Sequence, residues 1–284
     1  MGILSNVRSL FGAKNKDKNA IPNVNSFDEL HELAKKYLYG DGLNQNISLA
    51  ILYLEFASQK GHAESIRTLG VCYSEGLGVE QSFEKAFELY QKAAESGLVD
   101  AYFDLGVCYR RGEGVEMNLE KAKECYQKAI DAGNANALLN MGVIYEFEKN
   151  MDKAELYYKM AAEAGNPDGQ FCYGMQFFKR EEYAEAVSWF EKAAEQEEPD
   201  AQTQLGICYF EGRGVESNPI IGAGYLYAAA DQDWQRAIDL INENSIPRPT
   251  EETDSRLEIQ AAVALPGKRP RFRKGVEHLG RVGW

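Results

Sequence analysis

The chain has 284 residues, of which 44% are hydrophobic and 26% are charged, a composition typical of a folded globular protein. Its formal net charge of −13 argues against a general nucleic-acid binder, because such a protein needs a basic face to meet phosphates. The charge is uneven: residues 1–19 carry +3 and residues 266–284 carry +5, which leaves −21 for residues 20–265. An acidic body with basic ends favours basic partners, or docking of its own tail.

Residues 1–25 are predicted to be a leader that is either flexible or amphipathic. Its apolar side chains fall on one helical face: Ile3, Leu4, Val7, Leu10 and Phe11. One interpretation is a short helix over residues 1–18 that contacts a membrane surface or a partner, and the other is a frayed terminus. Polar residues interrupt the apolar ones, so no signal core is predicted, and no run of the chain is long enough to span a membrane.

Six repeats follow over residues 26–233. Small residues recur in one position of a first helix (Ala34, Gly70, Gly106, Gly142, Gly174 and Gly206) and in one position of a second helix (Ala50, Ala86, Ala122, Ala154, Ala186 and Gly222). The second series is spaced by 36, 36, 32, 32 and 36 residues, because the fourth and fifth repeats lack a four-residue Gly-x-Gly-Val connector. Such self-similarity predicts stacked helical hairpins. A glycine inside a helix costs about 1 kcal/mol against alanine, so its recurrence predicts a close approach of two helices.

The third repeat gives the clearest helix boundaries. Its first helix ends at Gly112, and its second runs from about Leu119 to Ile130 and stops near Gly133. A residue able to cap the helix or favour its dipole is predicted before each first helix: Asp28, Glu64, Asp100, Asn136, Asp168 and Asp200.

These motifs resemble the Sel-one-like repeat, a relative of the tetratricopeptide repeat. The third repeat carries the pattern in full: Ala101, Leu105-Gly106, Tyr109, Gly112-Glu113-Gly114-Val115, Lys121-Ala122, Tyr126 and Lys128-Ala129. The first repeat departs from it at residues 44–46, which lack the valine, and the sixth at residues 222–224. The resemblance implies an all-α, right-handed α-solenoid of about six helix-turn-helix repeats, a tetratricopeptide-like superhelix that serves as a protein-interaction scaffold. It implies no catalytic activity.

After the repeats, residues 234–265 are predicted to be a capping helix and a linker. The helix covers Trp234 to Asn242 and ends before Ile246-Pro247-Arg248-Pro249, because proline disfavours a helical preceding residue. Residues 266–284 form a basic tail that is either disordered or docked against the acidic body.

No arrangement of residues for catalysis, metal binding or a cofactor is predicted. The five cysteines lack a Cys-x-x-Cys spacing, and equivalent positions on stacked repeats lie on the order of 10 Å apart, too far for a disulfide. Only His31, His62 and His278 are available to complete a metal site. We therefore expect buried, reduced thiols in a cytoplasmic protein that is not an enzyme.

The predicted partner-binding site is a concave groove lined by the first helices. Its residues are placed by counting from the Leu-Gly position: Phe103, Val107, Arg110, Leu139, Val143, Glu146, Phe147, Phe171, Met175, Phe178, Ile207 and Phe210, with Thr203 beside them. These positions are mostly apolar although the repeat motif does not require it, which is typical of an interaction surface. Burial by tight curvature or by the chain's own tail is the alternative.

The resulting hypothesis is an adaptor that holds a peptide or helix with basic flanks. Two alternatives stay open: a peripheral membrane protein tethered by residues 1–18, and a bacterial immunity or inhibitor protein, which is a special case of the first.

Overall fold

A computed structural model describes residues 24–249. Within this range the chain forms thirteen α-helices and no strand, in agreement with the all-α prediction. In chain order the helices are α1 Phe27–Tyr39, α2 Ile47–Gln59, α3 Ala63–Glu75, α4 Phe83–Glu95, α5 Asp100–Arg111, α6 Leu119–Asp131, α7 Ala135–Phe147, α8 Met151–Glu163, α9 Pro167–Lys179, α10 Tyr183–Ala194, α11 Pro199–Glu211, α12 Pro219–Ala230 and α13 Gln235–Glu243. Within each unit, consecutive helices pack on one another, as expected for a solenoid of helical hairpins.

The chain divides into two compact units between Ala137 and Leu138, within the first turn of α7. The core of unit 1 is built around Leu30, Tyr53, Leu54, Ile66 and Tyr126, which are at most 2% exposed. The core of unit 2 is built around fully buried side chains as well: Ile144, Tyr158, Phe190, Leu205 and Leu226. Both helices of a hairpin contribute to the core of its unit: in the fourth repeat, for example, Ile144 comes from α7 and Tyr158 from α8.

The recurring helical glycine makes room for a ring of the second helix. In unit 2, a Cβ added at Gly142 would lie 2.6 Å from Cδ1 and Cε1 of Tyr158, closer than real Cβ contacts allow. In unit 1, a Cβ at Gly106 would overlap the ring of Tyr126. The close approach predicted from the sequence is therefore confirmed. An aromatic side chain fills the space in the second to fifth repeats, and Leu226 does so in the sixth. The first repeat has Ala34 in this slot, and both Ala34 and Leu54 lie in its core.

The connector of the third repeat has left-handed backbone at both of its glycines. At Gly114, φ is +73° and an added Cβ would collide with the carbonyl oxygen of Phe83, so no other residue fits there without a shift of the backbone. The lysine that follows this connector reaches back over the tyrosine that precedes it: Lys121 Nζ lies 5.3 Å from the ring centroid of Tyr109. Tyr73 with Lys85, and Tyr145 with Lys153, form the same cation–π contact. The tyrosine and lysine of the repeat motif therefore stabilise the hairpin.

The capping part of the prediction was wrong by two residues, whereas the part that assigns the acidic residues to the helix dipole was confirmed. The side chains that accept from the first free backbone amides belong to Ser26, His62, Asn134, Asn166 and Glu198. The acidic residues predicted as caps, such as Asp100 and Asp168, lie in the first turn, where they favour the positive end of the helix dipole.

The predicted capping helix is present as α13, shifted by one residue at each end. Its Ala237 and Ile241 pack against Leu226 and Ala229 of α12. The hydroxyl of Tyr227 donates to the carbonyl oxygen of Ile246 over 2.9 Å, which ties the end of the described chain to α12.

The membrane-contacting leader predicted for residues 1–18 and the basic tail predicted for residues 266–284 lie outside the described range. None of the described helices has the length and apolar character needed to cross a membrane.

Candidate functional site

The lining residues predicted in unit 1 lie on α5 and are all half-buried: Phe103, Val107 and Arg110. The ring of Phe103 lies 6.0 Å from that of Tyr126, so it is held against the core by an aromatic contact. The guanidinium of Arg110 approaches the Tyr126 hydroxyl as a hydrogen-bond partner, while its Nε is buried without one. This part of the surface is thus apolar with one cationic group.

The lining residues predicted in unit 2 lie on three first helices. Most are half-buried: Val143, Glu146, Phe171, Met175, Phe178, Ile207 and Phe210. Phe147 is 72% exposed at the end of α7. The expectation of a surface position was wrong for Leu139, which is 3% exposed. It was also wrong for Thr203, which is fully buried and whose hydroxyl donates to the carbonyl oxygen of Pro199.

Two of these aromatic residues are partly covered by their own neighbours. Phe178 packs against Tyr183, with ring centroids 5.1 Å apart, and the Arg213 guanidinium lies 5.7 Å from the Phe178 ring. Phe210 packs against the buried cluster that contains Leu226. Both residues contribute to the core as well as to the surface, so they offer less area to a partner than the sequence suggested.

Unit 2 contains a pocket of about 290 Å³ that brings several of the predicted residues together. Three of its lining residues were predicted from the sequence: Glu146, Phe171 and Met175. Four were not: Tyr158, Cys172, Gln176 and Lys179. The pocket lies between the end of α7 and one face of α9, and Tyr158 of α8 contributes to its wall.

The polar part of the pocket is a chain of three side chains. The hydroxyl of the fully buried Tyr158 donates to Glu146 Oε2 over 2.6 Å. Lys179 Nζ lies 3.5 Å from Glu146 Oε1. Burial, together with the hydrogen bond to the Glu146 carboxylate, raises the pKa of Tyr158 well above its ordinary value, so it stays a donor. The Tyr158 hydroxyl therefore holds the Glu146 carboxylate in place, and Glu146 remains half-buried at the pocket.

The electrostatic environment of the pocket is negative. Burial is the main reason that the pKa of Cys172 is raised, and the carboxylates of Asp168, Glu146, Glu198 and Asp200 raise it further. Lys179 is the one cation among the residues that line the pocket. An arriving cationic group would therefore be attracted to this part of unit 2.

The cysteines are free thiols, as expected. Cys72, Cys108, Cys172 and Cys208 are buried, and Cys125 is half-buried. Burial raises the pKa of Cys72 and Cys108 to about 12, so these thiols are unreactive at neutral pH.

Sequence reasoning did not identify Tyr158 as a pocket residue, because its position in the repeat is typical of the core. A signal was present in the sequence: the residue four positions after the helical glycine is polar in the second, third and fourth repeats, namely Ser74, Arg110 and Glu146. A tyrosine of the second helix reaches each of them.

The family model of the Sel1 repeat matches this chain six times, at residues 30–62, 63–98, 99–134, 135–166, 171–198 and 199–234. Among solved structures, a Sel1 repeat protein from Oxalobacter formigenes aligns with a TM-score of 0.66 and 26% sequence identity. The alignment covers 77% of this chain and 65% of that protein, so the chain spans less than two thirds of its length.

Two immunity proteins from Pseudomonas aeruginosa have a similar fold. Pa5087 aligns with a TM-score of 0.53 and 21% identity, over 81% of this chain and 92% of that protein. PA5088 aligns with a TM-score of 0.51 and 18% identity, over 82% of this chain and 93% of that protein. At these identities the likeness shows a shared fold alone. No curated protein matches the sequence.

Sel1-repeat proteins generally mediate protein–protein interactions and are generally not enzymes. The repeat matches cover most of the described residues and coincide with the helical hairpins of the structure. The chain belongs to the Sel1 repeat family.

Proposed function

We propose that this protein is a cytoplasmic, non-enzymatic adaptor that captures a peptide or helix of a partner protein, and that the pocket of unit 2 is its anchor point. The observation that carries the proposal is that Glu146, Phe171 and Met175, selected from the sequence as lining residues, meet in one pocket. A few residues that fill a central pocket usually dominate the affinity of a protein interface.

The pocket suits a single apolar side chain of the partner. Its apolar lining comes from Phe171, Met175 and the ring of Tyr158. Its volume of about 290 Å³ lies at the lower end of the range for small-molecule sites, which favours one inserted side chain over a whole ligand.

The charges favour a basic residue beside that anchor. Glu146 lines the pocket, and the negative charges of Asp168 and Asp200 also raise the pKa of Cys172 in its wall. Lys179 already lies near Glu146, at 3.5 Å, so an arginine or lysine of the partner would share or replace this ion pair. We therefore expect a partner segment with an apolar residue next to a cationic one.

The proposal is tested by selecting binders from a peptide library displayed on phage and measuring their affinity by fluorescence anisotropy. Selected peptides should combine an apolar residue with Lys or Arg. Met175→Ala should weaken binding by removing apolar contact. Glu146→Gln should weaken binding to basic peptides and reduce its salt dependence, because glutamine still accepts the hydrogen bond from Tyr158 but carries no charge.

The matched control is Leu156→Ala on α8, a 53% exposed apolar residue outside the pocket, which should leave the affinity unchanged. Circular dichroism of each variant verifies that the helices are intact. Selected peptides that bind Met175→Ala and Glu146→Gln as tightly as the parent protein would place the binding surface elsewhere and refute the proposal.

A further inference from the structure

Three side chains able to bind a metal meet in unit 1, at the N-terminal ends of α1 and α3. His62 Nε2 lies 2.9 Å from Asp28 Oδ1 and 3.3 Å from Glu64 Oε2. One ligand atom of each residue lies within 4.8 Å of those of the other two. Asp28 belongs to the first repeat, whereas His62 and Glu64 open the first helix of the second repeat, so the group joins two repeats.

These separations are close to those of ligands around a small divalent cation. In a tetrahedral zinc site with bonds of about 2.0–2.2 Å, neighbouring ligand atoms lie about 3.3–3.6 Å apart. The distance from His62 Nε2 to Glu64 is at the lower end of this range, and the distance to Asp28 is a hydrogen-bond distance that a small shift of the exposed Asp28 side chain would lengthen. One imidazole nitrogen and two carboxylate oxygens are ligands that zinc commonly takes, and water completes such a site.

The imidazole of His62 is already held in one orientation. Its Nδ1 lies 2.9 Å from Ser65 Oγ, and its ring lies 6.2 Å from that of Phe27 and 5.7 Å from that of His31. A ligating histidine normally has its second ring nitrogen hydrogen-bonded, which fixes the ring and leaves the other nitrogen for the metal. Without a metal, Nδ1 accepts the Ser65 amide that it caps, so the proton is on Nε2. A cation at Nε2 would move the proton to Nδ1, which would then donate to Ser65 Oγ in place of that capping bond. Nε2 faces the carboxylates.

Two carboxylates share one imidazole nitrogen, and both are open to solvent, with the Asp28 side chain 83% exposed and that of Glu64 50% exposed. A neutral ring donates a single Nε2–H, so it satisfies only one of Asp28 and Glu64 at a time. A divalent cation interacts with both at once. The helix cap does not require histidine either, because Asn134 and Asn166 cap α7 and α9 with side-chain oxygens.

We propose that Asp28, His62 and Glu64 bind a divalent transition-metal cation of the zinc type and that this cation clamps the first repeat to the second. Among the described residues, the first repeat has a neighbouring repeat on one side only, so its helices gain most from an additional link. The site is independent of the pocket, which lies in unit 2 and is formed by other residues.

The test is a titration of the full-length protein with Zn²⁺ in competition with a chromophoric chelator. His62→Asn should retain the cap of α3 but lose a ligand, and should weaken the affinity at least about tenfold. The double variant Asp28→Asn/Glu64→Gln should do the same while retaining His62. His31→Gln is the matched control: His31 lies beside the site but bonds Thr68, and its loss should change the affinity less than about twofold.

Two further measurements separate this site from other ligands of the chain. Co²⁺ bound here should show no thiolate-to-metal charge-transfer band, and His278→Gln should bind Zn²⁺ like the parent protein. Hydrogen exchange in α1 and α3 should slow on addition of Zn²⁺ in the parent protein but not in His62→Asn. Equal affinity of parent protein and His62→Asn, a thiolate band, or the lack of saturable binding would each overturn the proposal.

Discussion

The hydroxyl of Tyr158 donates a hydrogen bond of 2.6 Å to Glu146 and thereby joins the second helix of the fourth repeat to the end of its first helix. The same relationship occurs in the preceding repeats, where Tyr90 donates to Ser74 over 3.4 Å and Tyr126 is paired with Arg110. The ring of each tyrosine also fills the space left by a helical glycine. One residue therefore packs the core and positions a surface side chain.

Replacing Tyr158 by Phe should reduce the unfolding free energy by about 1–2 kcal/mol, because the hydrogen bond to a carboxylate is lost while the ring is retained. Urea unfolding followed by circular dichroism measures the change. Tyr157→Phe on the same helix, whose half-buried ring stacks on Tyr145, is the control and should change stability less. An equal loss in both variants would contradict a special role for the Tyr158 hydroxyl.

Gly106→Ala should destabilise the protein by about 1–3 kcal/mol, because the added methyl group overlaps the ring of Tyr126. Gly224 is a matched control within α12, since an added Cβ there meets no atom within 4 Å. Gly224→Ala should therefore stabilise the protein by up to about 1 kcal/mol through helix propensity. Thermal unfolding of the two variants should shift in opposite directions, and a shift in the same direction would contradict the packing explanation.

Glu197→Gly should stabilise the protein by about 0.5–1 kcal/mol. Glu197 has a left-handed φ of 64° after the second helix of the fifth repeat, where Gly133 and Gly165 stand in earlier repeats with φ of 87° and 83°. A side chain at such a φ costs about 1–2 kcal/mol, and the flexibility of glycine offsets part of the gain. The reverse change, Gly133→Ala, should lower the melting temperature. A melting temperature of Glu197→Gly below that of the parent protein would refute this.

Glu198→Gln should remove a pH dependence of stability. Burial raises the pKa of Glu198 from 4.5 to about 7, against the opposing effect of its hydrogen bond from the Ala201 amide. Since the folded state holds this proton more tightly, the unfolding free energy should fall as pH rises from about 4.5 to about 7 and then level off. At about 1.4 kcal/mol per pKa unit, the fall is at most about 3.5 kcal/mol.

The variant keeps an oxygen to accept the Ala201 amide, so it should match the parent protein at about pH 4.5 and exceed its stability at about pH 8. Urea unfolding at both pH values gives the comparison. Glu88→Gln, which replaces an exposed carboxylate on α4, is the control. The prediction would be refuted if the unfolding free energy of the parent protein, measured relative to that of Glu198→Gln, were higher at about pH 8 than at about pH 4.5.

The helices and their pairing could be predicted from the sequence because the same residues recur at the same slots. The recurrence of Gly106 and Gly114 predicts a close approach and a connector, and both glycines have the expected geometry. The helix caps could not be assigned by the same means. Asp100 and Asp168 recur in the first turn, whereas the capping residue itself differs from repeat to repeat, as His62 and Glu198 illustrate.

The candidate site was predicted only in part. Counting along a helix gives the face of a residue but not its depth, so Leu139 was assigned to the surface although it is buried. Tyr158 and Cys172 occupy positions typical of the core and nevertheless line the pocket. Asp28 and His62 are 34 residues apart and belong to different repeats, so no local spacing in the sequence connects them.

In the second, third and fourth repeats, the tyrosine hydroxyl of the second helix is paired with Ser74, Arg110 and Glu146, respectively. A tyrosine hydroxyl is both a donor and an acceptor. It therefore tolerates a neutral, a cationic or an anionic neighbour without any change in the ring that packs the interior. In the fifth repeat, Phe190 lacks the hydroxyl and its neighbour is the apolar Phe178. A chain built in this way can exchange the recognition chemistry of one repeat at a time, which makes it a suitable scaffold for redesigning specificity while the interior stays unaltered.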